Sequence, residues 1–468
     1  MNTKNNTPPF GIKDKIGYLF GDFGNDFTFL LSSSFLLKFY TDVMHLSAGI
    51  VGTVIMLARF LDAFTDVTMG RICDRARPTE SGKFKPWILR MCAPVAISSF
   101  LIYQSAFATS PLPFRIGWLV VTYILWGSIF YTSINIPYGS MASTISRESA
   151  DRQSLSTYRT MGSTLAGVIV GAGVPLFAYD TRLIDGVQVS ELNGGRFTII
   201  AGAFSLLAVA AYLICYALVT ERVIPESRSV EQGNVKELII GALKNRALIS
   251  IIIASVLMLI SQFTLQQMAN YVFPDYYANT TAQSASTIAM MGGMVVAAVF
   301  ARPLAVRFGK AEISVFSNLL AAAVSLALFF IRPRSVWVYV GISSLSWLGL
   351  GIFAMVSWAL ITDVIDYSEI KRGVREDGSI YALYSFSRKL GQAGAAGLVG
   401  LFLSLIGYEK VNGSLLADSV KEGIFSLSTL VPAIGFILLA AVLWFWYPLN
   451  KREVEKNISI LKEKHSAE

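Results

Sequence analysis

Histidine and cysteine are scarce in this chain of 468 residues, at two and three copies, and charged residues make up only 15%. His45 and His465 are too few and too peripheral to build a metal centre. Cys73, Cys92 and Cys215 are odd in number, lie in or beside apolar stretches and lack metal-ligand spacing. They read as packing thiols rather than as disulfide or zinc partners. Nothing resembles a phosphate loop, a nucleophile elbow or a protease motif, so ATP-driven work and enzymatic chemistry have no visible machinery and no cofactor is expected. No signal peptide is expected, because 1–15 is polar and the first apolar run continues to spanning length. No kinase, DNA-binding or large extramembrane module is present to carry a signal.

Apolar residues are abundant. They make up 54% of the chain, and the mean hydropathy is positive. Windows of about 20 apolar residues, the length that crosses a bilayer, recur along the chain. Twelve are expected, at 16–40, 48–70, 86–107, 115–138, 155–179, 197–220, 247–272, 284–302, 311–331, 336–362, 380–406 and 424–447. The fold class is therefore an all-α polytopic membrane protein.

The formal net charge of +8 would suit a nucleic-acid binder, but its distribution argues otherwise. Basic residues gather in alternate connections: Lys4, Lys13 and Lys15 before the first window, Arg71 to Lys85 after the second, and Arg147 and Arg152 after the fourth. Arg222, Arg228, Lys236, Lys244 and Arg246 follow the sixth. Arg302, Arg307 and Lys310 follow the eighth, Lys371, Arg372 and Arg375 the tenth, and Lys451, Arg452 and Lys456 the last. The positive-inside rule then places both termini in the cytoplasm of a cell whose plasma (inner) membrane holds the chain. The expected division is a cytoplasmic N-terminus at 1–15, a six-helix bundle at 16–220, a cytoplasmic linker at 221–246, a second six-helix bundle at 247–447 and a cytoplasmic tail at 448–468.

Two internal repeats accord with that division. GRICDRARPTESGKFKPW after the second window answers to ARPLAVRFGKAE after the eighth. YRTMGSTLAGVIVG in the fifth answers to SRKLGQAGAAGLVG in the eleventh, pairing Arg159 with Arg388 and Gly162 with Gly391. Transporters are commonly built from such repeats, with their binding sites between the halves.

One stretch breaks the apolar pattern. In VGTVIMLARFLDAFTDVTMG, Val51 to Gly70, three charges interrupt a run otherwise suited to lipid. Each costs roughly 2.5–3.5 kcal/mol at the centre of a membrane helix, so each needs a partner and a purpose. Asp62 and Asp66 stand four apart on one helical face, with Arg59 one turn earlier on nearly the same stripe. A cation would meet both carboxylates together.

GDFGNDF in the first window, FYTDV after it, LDAFTDVTMGRICD in the second, SGKFKPW, YTSINIPYGS in the fourth and ITDVIDYSE in the tenth helix resemble the glycoside-pentoside-hexuronide:cation symporters. That family belongs to the major facilitator superfamily. The likeness runs from about Lys13 to about Pro448, and it is greatest to the glucuronide and xyloside permeases. It implies a twelve-helix major facilitator fold and import of a glycoside with H+ or Na+ by alternating access.

The resemblance assigns the cation to Asp62 and Asp66, with no other metal, and places Asp26 and Arg159 at the sugar and Lys389 near the cation carboxylates. Asp26 could instead form a structural salt bridge with Arg59 or Arg159. Lys389 would couple the two sites together with Arg59, while Arg388, about 100° away around the helix, would snorkel toward the cytoplasm. Thr132 is a candidate hydroxyl ligand, Asn135 and Tyr131 are lining candidates, and Trp358 could give the sugar an aromatic face. Asp74 and Arg75, together with Asp363, Asp366 and Glu369 after the tenth window, suggest an inner gate of ion pairs or a solvated loop.

Departures from the melibiose-type pattern narrow the expectation. Asn25, Asn135 and Gly139 stand where that pattern has lysine, aspartate and tryptophan. Loss of the fourth-helix carboxylate weakens sodium binding and favours protons, and loss of the tryptophan removes a stacking face for galactosides. The partners expected are a small glycoside, a monovalent cation and the lipid bilayer, with no nucleic acid and with the monomer as the working unit. A uniporter without cation coupling and a sugar-binding membrane sensor are the alternatives.

Overall fold

The computed structural model describes residues 8–223, 245–372, 377–410 and 414–467. Among the described residues, twelve long helices follow the twelve apolar windows. They are α1 (Ile12–Asp42), α2 (Ala48–Arg75), α3 (Lys85–Ile102), α4 (Leu112–Ile145), α5 (Ser149–Phe177), α6 (Gly194–Leu218), α7 (Arg246–Tyr276), α8 (Thr280–Phe308), α9 (Lys310–Ile331), α10 (Val336–Arg372), α11 (Asp377–Leu405) and α12 (Asp418–Trp446). A polar tail helix, α13 (Lys451–Ala467), completes the described chain. Ten of the twelve are long and apolar enough to cross a membrane by length and composition. The other two, α1 and α11, carry Asp22, Asp26 and Lys38, and Arg388 and Lys389.

Short polar side chains open several helices by accepting the first orphan backbone N–H groups. Ser47 accepts from Ile50, Asn193 from Arg196, Asn245 from Ala247 and Leu248, and Asn279 from Ala282. Hydropathy alone passes over the connection between α5 and α6, which is an antiparallel hairpin of β1 (Tyr179–Ile184) and β2 (Val187–Leu192). Its two-residue turn, Asp185 and Gly186, has φ of 48° and 77°. Those are the positive angles that an Asp-Gly hairpin turn supplies.

The chain divides into two compact units, Met1–Ser229 with Tyr408–Leu415, and Val230–Gly407 with Leu416–Glu468. The first contains α1 to α6 and the hairpin, and the second contains α7 to α13. Most of the linker expected at 221–246 lies outside the described residues, as do Lys4, Arg228, Lys236, Lys244 and Arg375.

Close helix approaches in each unit depend on glycine. In the first, a Cβ on Gly162 of α5 would collide with the Leu19 carbonyl oxygen of α1. In the second, a Cβ on Gly391 of α11 would lie 2.9 Å from the Leu259 Cβ and 3.1 Å from the Val256 carbonyl oxygen of α7. The two glycines paired by the sequence repeat thus perform one task, bringing the fifth helix of a unit onto its first. Replacing Gly162 with Val should lower the melting temperature in detergent by several degrees, since overpacking costs about 1–3 kcal/mol. Gly292→Ala, where no atom lies within 4 Å of the new Cβ, is the control and should leave melting unchanged.

Two sequence expectations need correction. The tenth helix does not stop at 362 but runs on to Arg372. Asp363, Asp366 and Glu369 recur every third residue, so they share one face of that helix instead of forming a loop. Asp363 and Glu369 are buried, and Lys310 of α9 donates to Asp363 at 2.6 Å. Opposite charge from a neighbouring helix is what lets the acid sit inside the helix.

Candidate functional site

In the first unit α2 shows two faces. Leu57, Phe60, Leu61, Phe64 and Val67 are exposed on one side, while Arg59, Asp62 and Asp66 are half-buried. The acids meet α4, whose stretch Ile124–Tyr131 is wound as a π-helix. There the Thr132 backbone N–H reaches the Gly127 carbonyl, five residues back. Such wide turns inside α-helices are frequent at functional sites.

Two hydroxyls project from this turn toward the acids. Ser128 Oγ donates to Asp62 Oδ1 at 2.5 Å, and Thr132 Oγ1 donates to Asp66 Oδ1 at 2.8 Å. Ser128 and Thr132 are four apart, as are Asp62 and Asp66, so two i,i+4 pairs form a two-rung ladder between the helices. Arg59 lies over the Phe29 ring of α1 at 5.0 Å, and that ring stacks on Tyr131 at 5.7 Å. Tyr131 also packs on Trp126 at 5.5 Å. The result is a group of hard oxygen ligands with one guanidinium alongside, held by an aromatic wall. Its donor set suits a proton or an alkali cation.

A second group centres on Arg159 of α5. Its Nε pairs with Asp22 Oδ1 of α1 at 3.0 Å, and its guanidinium lies 5.4 Å from the Tyr138 ring centroid. Tyr138 stacks on Tyr18 at 4.6 Å and donates its hydroxyl to the Tyr18 carbonyl at 2.6 Å. Asp26, one turn after Asp22, is half-buried beside Ser163 and within electrostatic reach of Arg159. Sequence reasoning singled out Asp26 and missed Asp22. Both share one face of α1, and the packing of α5 is what gives Asp22 to the arginine. Asn135 is half-buried on α4, one turn beyond Thr132.

Trp358 and Lys389 belong to the second unit. Trp358 of α10 is 40% exposed and meets Tyr384 of α11 edge-on at 5.1 Å. Arg388 lies over the Trp358 ring at 5.5 Å, where cation–π attraction holds it. The repeat therefore extends to chemistry, with Arg159 of α5 over an α4 aromatic and Arg388 of α11 over an α10 aromatic. Lys389, the next residue, is half-buried.

The gate candidates Asp74 and Arg75 are exposed at the end of α2, where Lys83 Nζ donates to the Asp74 backbone carbonyl at 3.0 Å. The acid proposed to join them, Asp363, is held by Lys310. Clamps unforeseen in the sequence stand elsewhere in the first unit. Glu221 accepts the backbone N–H groups of Lys83, Phe84 and Lys85 at the start of α3. Asp14 pairs with Arg222 at 2.9 Å and accepts from the Thr220 N–H. The spacing of these residues carries no hint, since the partners lie 136 to 208 positions apart.

Residues 17–451 match the model of the family described as MFS/sugar transport protein. The chain is 30% identical to an uncharacterised symporter of Bacillus subtilis (strain 168), YjmB, over 97% of this chain and 96% of that protein. It is also 30% identical to the glucuronide carrier protein homolog of Escherichia coli (strain K12), over 94% and 93% of the two chains. Among solved structures, a bacterial homolog of the human lysosomal transporter Spinster, inward-facing and occupied, superposes with a TM-score of 0.67 at 12% identity. That match covers 95% of this chain and 97% of the other, and at such identity it speaks for the fold.

Proposed function

The chain belongs to the MFS/sugar transport protein family, whose members are multi-pass membrane transporters and not enzymes, and from that premise we propose that it imports a glycoside by symport with H+ or Na+. The observation that carries the cation half is the ladder of Asp62 with Ser128 and Asp66 with Thr132. Carboxylates this close inside a spanning segment are expensive unless they serve an ion. The lost carboxylate at Asn135 favours the proton over sodium. In this reading both termini face the cytoplasm, as the alternation of basic connections requires.

The sugar half rests on Asp26 and Arg159 of the first unit, with Tyr131 and Asn135 as lining residues and Arg59 as a coupling residue. The substrate class is a glucuronide or xyloside, supported by the likeness to a glucuronide carrier homolog. Asp22 holds Arg159 through Nε, which fixes the plane of the guanidinium, and a guanidinium fork held in one plane suits a carboxylate or a pair of hydroxyls. Arg159→Lys loses that planar fork and should weaken glucuronide uptake by roughly tenfold or more, since hydrogen bonds to charged groups are worth about 1.5–3 kcal/mol. Uptake kinetics in vesicles read this directly.

The deciding experiment measures uptake of labelled glycosides into vesicles under imposed proton or sodium gradients. Accumulation of a glucuronide or xyloside above the outside concentration, driven by one of the two gradients, is the expected result. Mere equilibration, with no sugar-driven alkalinisation of the medium and no sodium dependence, would establish the facilitator instead.

A further inference from the structure

Ser128 belongs to neither the composition argument nor the family resemblance. It is 2% exposed, sits inside the π-helical stretch Ile124–Tyr131, and places its hydroxyl 2.5 Å from one oxygen of Asp62. The preceding residue, Gly127, presents bare backbone to the same carboxylate. The position of its missing Cβ lies 3.6 Å from both Asp62 oxygens, so a longer side chain there would crowd them. Thr132, the other hydroxyl of the ladder, is also in reach of the Gly127 carbonyl at 3.2 Å. A hydroxyl has one proton to give. Thr132 can therefore give its proton to Asp66 or turn it onto the backbone, whereas the hydrogen bond described for Ser128 commits its proton to Asp62.

We infer that Ser128 is a positioning residue of the cation site: its hydroxyl, presented by the π-helical turn, fixes the Asp62 carboxylate in the orientation that receives the coupling ion. This rests on the symport reading above. A serine donating to a carboxylate spends its hydrogen and keeps its oxygen lone pairs, so Ser128 adds a hard oxygen beside the acid it holds. Holding the carboxylate in one rotamer before the ion arrives lowers the ordering cost of binding, which is the sense in which a site is preorganised. The charged groups proposed for the sugar, Arg159 and Asp26, stand on other helices, α5 and α1, and Ser128 makes its hydrogen bond to Asp62 and not to either of them. Removal of Ser128 should therefore act on the cation and not on the sugar.

The test uses full-length protein in proteoliposomes, with Ser128→Ala, Ser128→Thr and the unaltered chain. Two quantities are read: the cation concentration, as pH or sodium, giving half-maximal uptake, and the sugar affinity in equilibrium exchange at saturating cation. Ser128→Ala should raise the half-maximal cation concentration by about tenfold, the loss of one hydrogen bond to a charged group, with exchange affinity for sugar unchanged. Ser128→Thr keeps the hydroxyl and should restore the cation curve toward that of the unaltered chain; it also serves if the alanine variant does not fold. An unchanged cation curve in Ser128→Ala, or an equal loss of sugar affinity, overturns the assignment while leaving symport standing. Absence of any cation dependence in the unaltered chain overturns symport itself, and the role of Ser128 with it.

Discussion

Asp66→Asn is expected to abolish uphill accumulation while sugar still exchanges across the membrane. Asparagine keeps the shape of the side chain, and its carbonyl oxygen can still accept from Thr132, whose hydroxyl lies 2.8 Å from Asp66. What is lost is the charge. An amide cannot bind and release a proton, and it offers a cation one weak oxygen where the carboxylate offers two. Symport requires that cation binding raise sugar affinity, and linkage obliges the sugar to raise cation affinity by the same factor. Without that coupling free energy the inside-to-outside ratio of sugar falls to about one, however steep the gradient. Counterflow, in which labelled sugar exchanges for unlabelled, should persist, because Arg159 and its partner Asp22 are untouched. The measurement is paired uptake and counterflow in vesicles. Full accumulation by the variant would remove Asp66 from the ion path.

Much of this architecture is legible in the amino-acid order, and the places where it is not have a common cause. Bilayer thickness sets a length that hydropathy reads well, so twelve windows gave twelve helices, ten of them by apolarity alone. The extension of α10 was hidden because Asp363, Asp366 and Glu369 look like a loop until Lys310 arrives from another helix. Asp22 and Asp26 share a face of α1, and no rule of spacing tells which one an arginine 137 residues away will take. Resemblance pointed to Asp26; the geometry gives Asp22 the ion pair. Ser128 was findable in principle, since it precedes Thr132 by the same four residues that separate Asp62 from Asp66. A matching step on two helices is a signal only once the helices are known to face each other.

The first unit also contains a buried charge cluster away from the sugar and cation groups, and it sets the largest stability effect expected here. Asp42 at the end of α1 is 2% exposed, and Lys38 and Lys410 beside it are 1% and 5% exposed. Lys38 pairs with Asp42 at 2.8 Å and donates to the Tyr408 hydroxyl at 2.8 Å; that hydroxyl donates onward to Asp42 at 2.9 Å. Thr41 donates to the same carboxylate, Lys410 lies 3.9 Å from it, and Lys410 Nζ reaches the Ser190 carbonyl of the hairpin. One acid thus holds together two ammonium groups, a phenol and the chain segment that carries Tyr408 and Lys410. Removing one partner of a buried pair leaves an uncompensated charge and costs roughly 3–5 kcal/mol. The cost is asymmetric. Asp42→Asn takes this carboxylate charge from two buried lysines at once, whereas Lys38→Met leaves Asp42 with Lys410, Tyr408 and Thr41 and so costs less. The expected order of melting temperatures in detergent is therefore the unaltered chain highest, Lys38→Met next, and Asp42→Asn lowest by a wide margin. Equal losses for the two variants, or a greater loss for Lys38→Met, would mean that Asp42 is not the group that neutralises this cluster.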